Sequence, residues 1–329
     1  MRLRKIKLNK TSVLFYLILF LIFVQLLIFS PSEINNSSGE LKTADQIKKL
    51  ADSQKSKKSI EQKMRGIHLV ENANNQKGWE LFAEEAEGSS DTSWVLKKVK
   101  IDFYAEDQSH YTVVGDVGEI DSGSKNILIR GEVVTRSTNG YEFKTNDLKF
   151  VSENKVLKSD DTVQMSGPDD RSGKGFILNG VGFRIDLRKN KMSILSFVEA
   201  NKIIEKSFFE IKSNTAEFSN KTQQADFAGN VSLKYDKISM KAPIAQFQYS
   251  NEDKMLKTIF LKNGVQMFEI GRSGLCQEVE MDLEQDKMTL RGSPKVQMGE
   301  DEIFGDEIVF LDGGKKVKVN NVRANRKTN

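Results

Sequence analysis

Histidine, cysteine and closely paired carboxylates are the side chains from which catalytic and metal sites are most often built, and this chain is sparing with the first two. His68 and His110 are its two histidines, far apart and outside any metal-ligand spacing such as H-E-x-x-H, so both read as ordinary strand or turn residues. Cys276 is the sole cysteine, so no intrachain disulfide can form in any compartment. Its setting, Gly274-Leu275-Cys276, reads as a strand start with a small apolar side chain. Ser172-Gly173-Lys174-Gly175 lacks the spacing and the following hydroxyl of a phosphate-binding loop and reads as a hairpin tip. Carboxylates abound, as in Glu84, Glu85 and Glu87 or Asp160 and Asp161, and elongated β-solenoids include polysaccharide lyases and hydrolases. Such pairs are common on solvated strand faces, and folding would have to bring two acids to a catalytic separation. The expectation is a protein without enzymatic activity, cofactor or metal.

The elements that carry these residues are more informative than the residues themselves. In AEFSNKTQQADFAGNV, residues 216 to 231, Ala225, Phe227, Gly229 and Val231 fall on one parity and Gln224, Asp226 and Asn230 on the other. That is the period-2 signature of a strand with one dry face, fed by the turn Ser219-Asn220-Lys221. Gly229 lies eleven residues after Phe218 and Val231 thirteen. Ile120, Gly131 and Val133 repeat both steps, as do Met281, Gly292 and Pro294; Phe150 leads to Asp161 and Val163, with the glycine lost. Ile120, Phe150, Ile185, Phe218, Phe247, Met281 and Ile308 thus open units of roughly thirty residues, with a fainter copy at Ala86. Such units cannot bury an apolar face singly, so neighbours must stack over one continuous core. A β-sandwich would also alternate and turn, at about 8 to 12 residue spacing, but does not require fixed offsets. The expected fold is all-β, an elongated antiparallel β-stack.

The formal net charge is +4, but Arg2, Arg4, Lys5, Lys7 and Lys10 supply five of the 50 basic residues, leaving 45 against 46 acidic ones. The remainder is nearly neutral, without the electrostatic footprint of a nucleic-acid binder. Those five charges precede VLFYLILFLIFVQLLIF, Val13 to Phe29, long enough to span a bilayer. A cleaved signal peptide shares this layout, but no Ala-x-Ala site follows and the apolar run is long for one, which favours an uncleaved anchor. The positive-inside rule then leaves the first ten residues cytoplasmic and carries the bulk of the chain across the membrane. The expected domains are residues 1–30, basic tail and single-pass anchor; 31–62, polar linker; and two β domains, 63–203 and 204–329.

The dry face supplies the candidate binding residues: Phe103, Ile127, Ile129, Val133, Phe143, Phe150, Val163, Met165, Phe183, Phe218, Phe227, Val231, Leu233, Met240, Phe247, Met281, Met288 and Leu290. Core packing explains every one, and so does a groove for a greasy ligand; composition alone does not separate the two. At the carboxyl end, EIFGDEIVFL (302 to 311) and KVKVNNV (316 to 322) have no following repeat to pair with. An unpaired edge offers backbone donors and acceptors to another β-protein, with Val317 and Val319 as candidate contact positions. Lys315, Lys316, Lys318, Arg323 and Arg326 could equally serve to keep that edge from self-association.

Several stretches resemble a known family. GIHLVENANNQKGWELFAEEAE (66 to 87), VKIDFY (99 to 104), GDVGEID (115 to 121), IRGEVVTRSTNGYEFKTNDLKF (129 to 150) and LKSDDTVQMSGP (157 to 168) are similar to LptC, the inner-membrane-anchored periplasmic proteins of lipopolysaccharide export. Further on, IKSNTAEF, DFAGNV, ISMKAPIAQFQY, LRGSPKV and DEIFGDEIVF resemble the OstA-like domain of LptA, the bridge protein of the same pathway. The resemblance implies a folded-over antiparallel β-stack, a β-jellyroll or β-taco, whose apolar cleft receives acyl chains. Implied with it are lipopolysaccharide as cargo, the LptB2FG ATP-driven transporter at the inner membrane, and LptA-type or LptD-type proteins further out, joined by edge-to-edge strand addition. Two departures stand out: the second module, since most LptC-like proteins stop after one, and the repeat glycine replaced by Asp161 and Ser196. A membrane-anchored docking scaffold without lipid transfer is the alternative.

Overall fold

The computed structural model describes residues 62–73, 76–89, 92–106, 109–171, 173, 175–204, 207–321 and 323–326, all within one compact unit, Ser59–Asn329. The expected anchor and nearly all of the expected linker lie outside the described residues. Among the described residues no helix is long and apolar enough to cross a membrane.

One antiparallel sheet contains every strand among the described residues. Its first half is β1 (Gln62–Ala73), β2 (Gln76–Gly88), β3 (Ser93–Tyr104), β4 (His110–Asp121), β5 (Ile127–Ser137), β6 (Glu142–Val151), β7 (Val156–Ser166), β8 (Ile177–Asp186) and β9 (Lys191–Ile204). The second is β10 (Ser207–Ser213), β11 (Thr215–Ser219), β12 (Gln224–Tyr235), β13 (Ile238–Tyr249), β14 (Leu256–Glu269), β15 (Arg272–Asp282), β16 (Lys287–Arg291) and β17 (Lys295–Met298). β18 (Asp301–Phe304), β19 (Glu307–Leu311), β20 (Lys316–Asn320) and β21 (Arg323–Arg326) follow. β10 and β11 act as one interrupted strand, since both pair with β9 and with β12. The same holds for β16 with β17, β18 with β19, and β20 with β21. Counted this way, each strand pairs with its sequence neighbours, a continuous meander that passes the boundary near residue 204 without a break.

The repeat now has a physical meaning: each unit is one hairpin. Its opener is a buried residue at the end of one strand, such as Ile120 in β4, Phe150 in β6 or Phe218 in β11. After the turn, the return strand carries an extra residue. Register shifts mark it in β5, β7, β9, β12 and β14, which is every second strand, and the break between β16 and β17 continues the series. The bulged residues are left-handed: Gly131 and Glu132, Gly229 and Asn230, Asn263 and Gly264, Gly292 and Ser293. The bend keeps the parity of the bulged strand, so Phe227 before it and Val231 after it both point inward, and shifts that of its partner, where Ala242 and Ala245 are both buried. Where the glycine is replaced, stacking persists. β7 bends at Asp160-Asp161, and β9 bends with Phe197 at φ 53 and 79% exposed. Phe247 departs from the eleven-residue step, because its hairpin runs on to Tyr249 and Leu256 with a register shift before the turn at 250–255, so Phe247 faces Ile259 and the bulge comes at Asn263-Gly264.

Bending every second strand at one row folds the sheet over, and side-chain contacts join its two margins. Tyr111, near the start of β4, donates its hydroxyl to Asn190 Oδ1 in the β8–β9 turn at 2.8 Å. Arg272, at the start of β15, lies 5.3 Å from the Phe310 ring and donates to the Gly314 carbonyl at 3.3 Å. One carboxyl-terminal expectation is corrected: β18 and β19 are paired on both sides, so residues 302–311 are not an edge. The terminal line is β20 with β21.

Candidate functional site: the apolar interior and its seam

All eighteen candidate interior residues fall in one buried cluster. They come from β3 (Phe103), β5 (Ile127, Ile129, Val133), β6 (Phe143, Phe150), β7 (Val163, Met165), β8 (Phe183), β11 (Phe218), β12 (Phe227, Val231, Leu233), β13 (Met240, Phe247), β15 (Met281) and β16 (Met288, Leu290). None is more than 9% exposed. Ring contacts knit them together: Phe103 with Phe150 at 4.6 Å between centroids, Phe143 with Phe183 at 5.4 Å, Phe227 with Phe247 at 4.8 Å. Along most of its length the interior is therefore filled by its own side chains. Val317 and Val319 stand apart on β20, the first 39% exposed and the second half-buried against the cluster.

Of the openings where the margins meet, the one with the most aromatic lining is near the middle of the chain. There a cavity with an empty volume of about 890 Å³, including its open mouth, lies between the ends of β9 and β10 on one side and the turns after β11 and β13 on the other. Phe209, Phe218, Phe227 and Phe247 form its floor. Phe176 stacks on Phe218 at 5.6 Å and 10°, and Tyr141 lies 6.3 Å from the same ring. The mouth is polar, with Asn201, Asn220, Gln223 and Lys254, and with Asp170 and Lys202 in an ion pair whose side chains are 8% and 11% exposed. Burial pushes the Tyr141 phenol up to about 12. The Tyr249 phenol is raised by burial first, then by the nearby Tyr141 and Asp170. Both hydroxyls therefore stay protonated donors at neutral pH. Of these residues the sequence singled out only Phe218, Phe227 and Phe247. Tyr141 and Phe176 each follow a glycine beside a turn, which was the available signal for margin-closing aromatics.

Several of the groups weighed for chemistry have structural employment. His68 Nε2 lies 2.7 Å from Glu80 Oε1, and its ring stacks on Phe82 at 4.5 Å. Glu80 also accepts from Lys77 at 2.8 Å and Tyr104 at 3.1 Å, and these donors, Lys77 foremost, hold its carboxyl at about 2. Burial pushes the Cys276 thiol up to about 11, which disfavours the nucleophilic thiolate. Asp161 accepts from Asn146 at 2.7 Å and from the Thr162 amide at 2.6 Å, capping a bulge. Among the described residues no group of three His, Cys, Asp or Glu could hold a metal ion.

Residues 16–203 match the family described as lipopolysaccharide-assembly, LptC-related, and residues 210–312 match the family described as LptA/(LptD N-terminal domain) LPS transport protein. No curated protein matches the chain. Among solved structures, a match is the crystal structure of LptH, the LptA homologous periplasmic component of the conserved lipopolysaccharide transport device from Pseudomonas aeruginosa. It is 10% identical, over 36% of this chain and 95% of that one, with a TM-score of 0.33.

Proposed function

Because the chain belongs to the LptC-related lipopolysaccharide-assembly family and continues into an LptA-like stretch, its role lies in lipopolysaccharide transport, and we propose the following path for the cargo. The protein, held at the inner membrane by residues 13–29, receives lipopolysaccharide from the LptB2FG ABC transporter. It passes the lipid along its interior towards the outer membrane, with acyl chains inside and the saccharide outside the seam. Delivery is to an LptA-type or LptD-type partner that adds a strand beside Val317 and Val319.

The observation that supports this most is the continuity of the interior. The buried cluster runs from Trp79 to Phe310 and crosses from the LptC-like to the LptA-like stretch through Val198, Ala200, Phe209 and Ile211, on adjacent strands. Two separately folded modules would each close their own core. The energetic need is large, since each methylene kept from water is worth about 0.8 kcal/mol, so ten carbons of one acyl chain amount to about 8 kcal/mol. Mass spectrometry of the protein purified from its own membrane tests the reading: lipopolysaccharide should co-purify. Its absence, or release of sugar fragments from envelope polysaccharide, would point instead to the scaffold or the enzyme.

A further inference from the structure

The seam is closed differently along its length. Towards the ends it is held by fixed contacts of strand and turn residues, Tyr111 on Asn190 and Arg272 on Phe310 and Gly314. In the middle, Phe176, a side chain from a connection, packs against both Tyr141 and Phe218, whose own rings lie 6.3 Å apart. Building on the transport role above, we propose that the cavity beneath it is a discrete holding site for an acyl chain, and that Phe176 is its gate.

Three observations carry the proposal. The floor is four phenylalanine rings and the mouth is polar, the two-zone lining that an acyl chain with a hydrophilic head requires. A larger opening, of about 1440 Å³, lies on the seam beside Met281, Met288 and Phe310, but its lining is largely charged, with Asp236, Lys237, Glu269, Arg272, Asp282 and Glu284 among it, so the middle cavity is the better fit to an acyl chain. Finally, the position of Phe176 is built rather than incidental. A Cβ on Gly175 would stand 2.1 Å from the Gly167 carbonyl oxygen, and one on Gly167 would stand 2.5 Å from the Phe176 ring, so both glycines are needed for the ring to sit there. Asp170 anchors the same connection to Lys202 on β9. Rotating the half-buried Phe176 side chain outward breaks no ladder hydrogen bond, and an acyl chain taking its place restores the lost apolar contact. The exchange of one apolar group for another keeps the two states close in free energy, as a gate requires.

The test is exchange of fluorescent lipopolysaccharide on the full chain in detergent. Phe176→Ala should speed both entry and release by ~10-fold, about the worth of one aromatic contact, while Phe176→Leu stays near the wild-type rate. Asp170→Asn, which frees the connection without touching the ring, should also speed exchange, and decides the matter should Phe176→Ala not fold. Unchanged rates in both, with lipid still bound, would overturn the gate and leave the transport role standing. Failure of the wild-type chain to bind any lipopolysaccharide would overturn the transport role, and the gate with it.

Discussion

Substituting alanine at Gly229 tests whether the bulge glycines are what folds the sheet. Gly229 has φ +80, and a Cβ there would lie 2.5 Å from Asn214 Nδ2, 2.8 Å from its Cγ and 2.9 Å from its Cβ. The left-handed conformation alone costs an L-residue about 1–2 kcal/mol. Clearing Asn214 adds more, because its Cβ is involved and its backbone N–H donates to the Gly229 carbonyl at 2.8 Å, so the strand itself must shift. Overpacking of this kind costs about 1–3 kcal/mol, giving about 2–5 kcal/mol for Gly229→Ala. Gly264 is the internal control, with φ +95 and nothing within 4 Å of its would-be Cβ. Gly264→Ala should lose only the conformational part, about 1–2 kcal/mol. Urea unfolding followed by circular dichroism measures both from their midpoints. Equal losses at the two sites, or a loss below about 0.5 kcal/mol at Gly229, would refute the role assigned to the bulge.

Glu80 has a carboxyl held below its unfolded value by Lys77, His68 and Tyr104, so the stability it gives is present above pH 4.5 and is lost as pH falls towards about 2. Thermal melts of wild type and Glu80→Gln should therefore differ at neutral pH and converge over that acid window; a gap that persists at the acid end would contradict the assignment. Proline at Val317 or Val319 removes a backbone donor from the terminal line, where the cost to the fold should be modest. At least one of the two variants should fail to pull down an LptA-type or LptD-type partner while keeping its melting temperature, and undiminished capture by both would move docking elsewhere.

What the sequence discloses here is local. A hairpin returning to a shared core must place an apolar residue before its turn and accommodate a bend a fixed distance later, so Ile120 with Gly131, and Phe218 with Gly229, announce themselves by spacing. The interior was legible for the same reason, since strand parity assigns Phe103 or Leu290 to the dry face without any knowledge of what lies opposite. What lies opposite was not legible. Tyr111 meets Asn190 across 79 residues of sequence, and Arg272 meets Gly314 across 42. Those meetings depend on how far the folded sheet is offset along its own seam, which no short window records. The cavity belongs to this hidden class, because Phe176 and Tyr249 come from different hairpins. A hairpin that runs on past Phe247 with a register shift also displaced the bulge of β14 and hid Asn263-Gly264 from the eleven-residue rule.

The claim that the interior carries acyl chains predicts a parity in contact. Photo-reactive residues placed at Phe227, Val231, Met281 or Leu290 point inward. At Asp226 and Arg291, one position away, the side chain faces outward, where Asp226 accepts from Gln246 at 3.0 Å and Arg291 pairs with Glu280 at 2.6 Å. On irradiation in cells, the inward set should capture lipopolysaccharide and the outward pair far less; equal capture at both parities, or capture confined to Asp226 and Arg291, would contradict it.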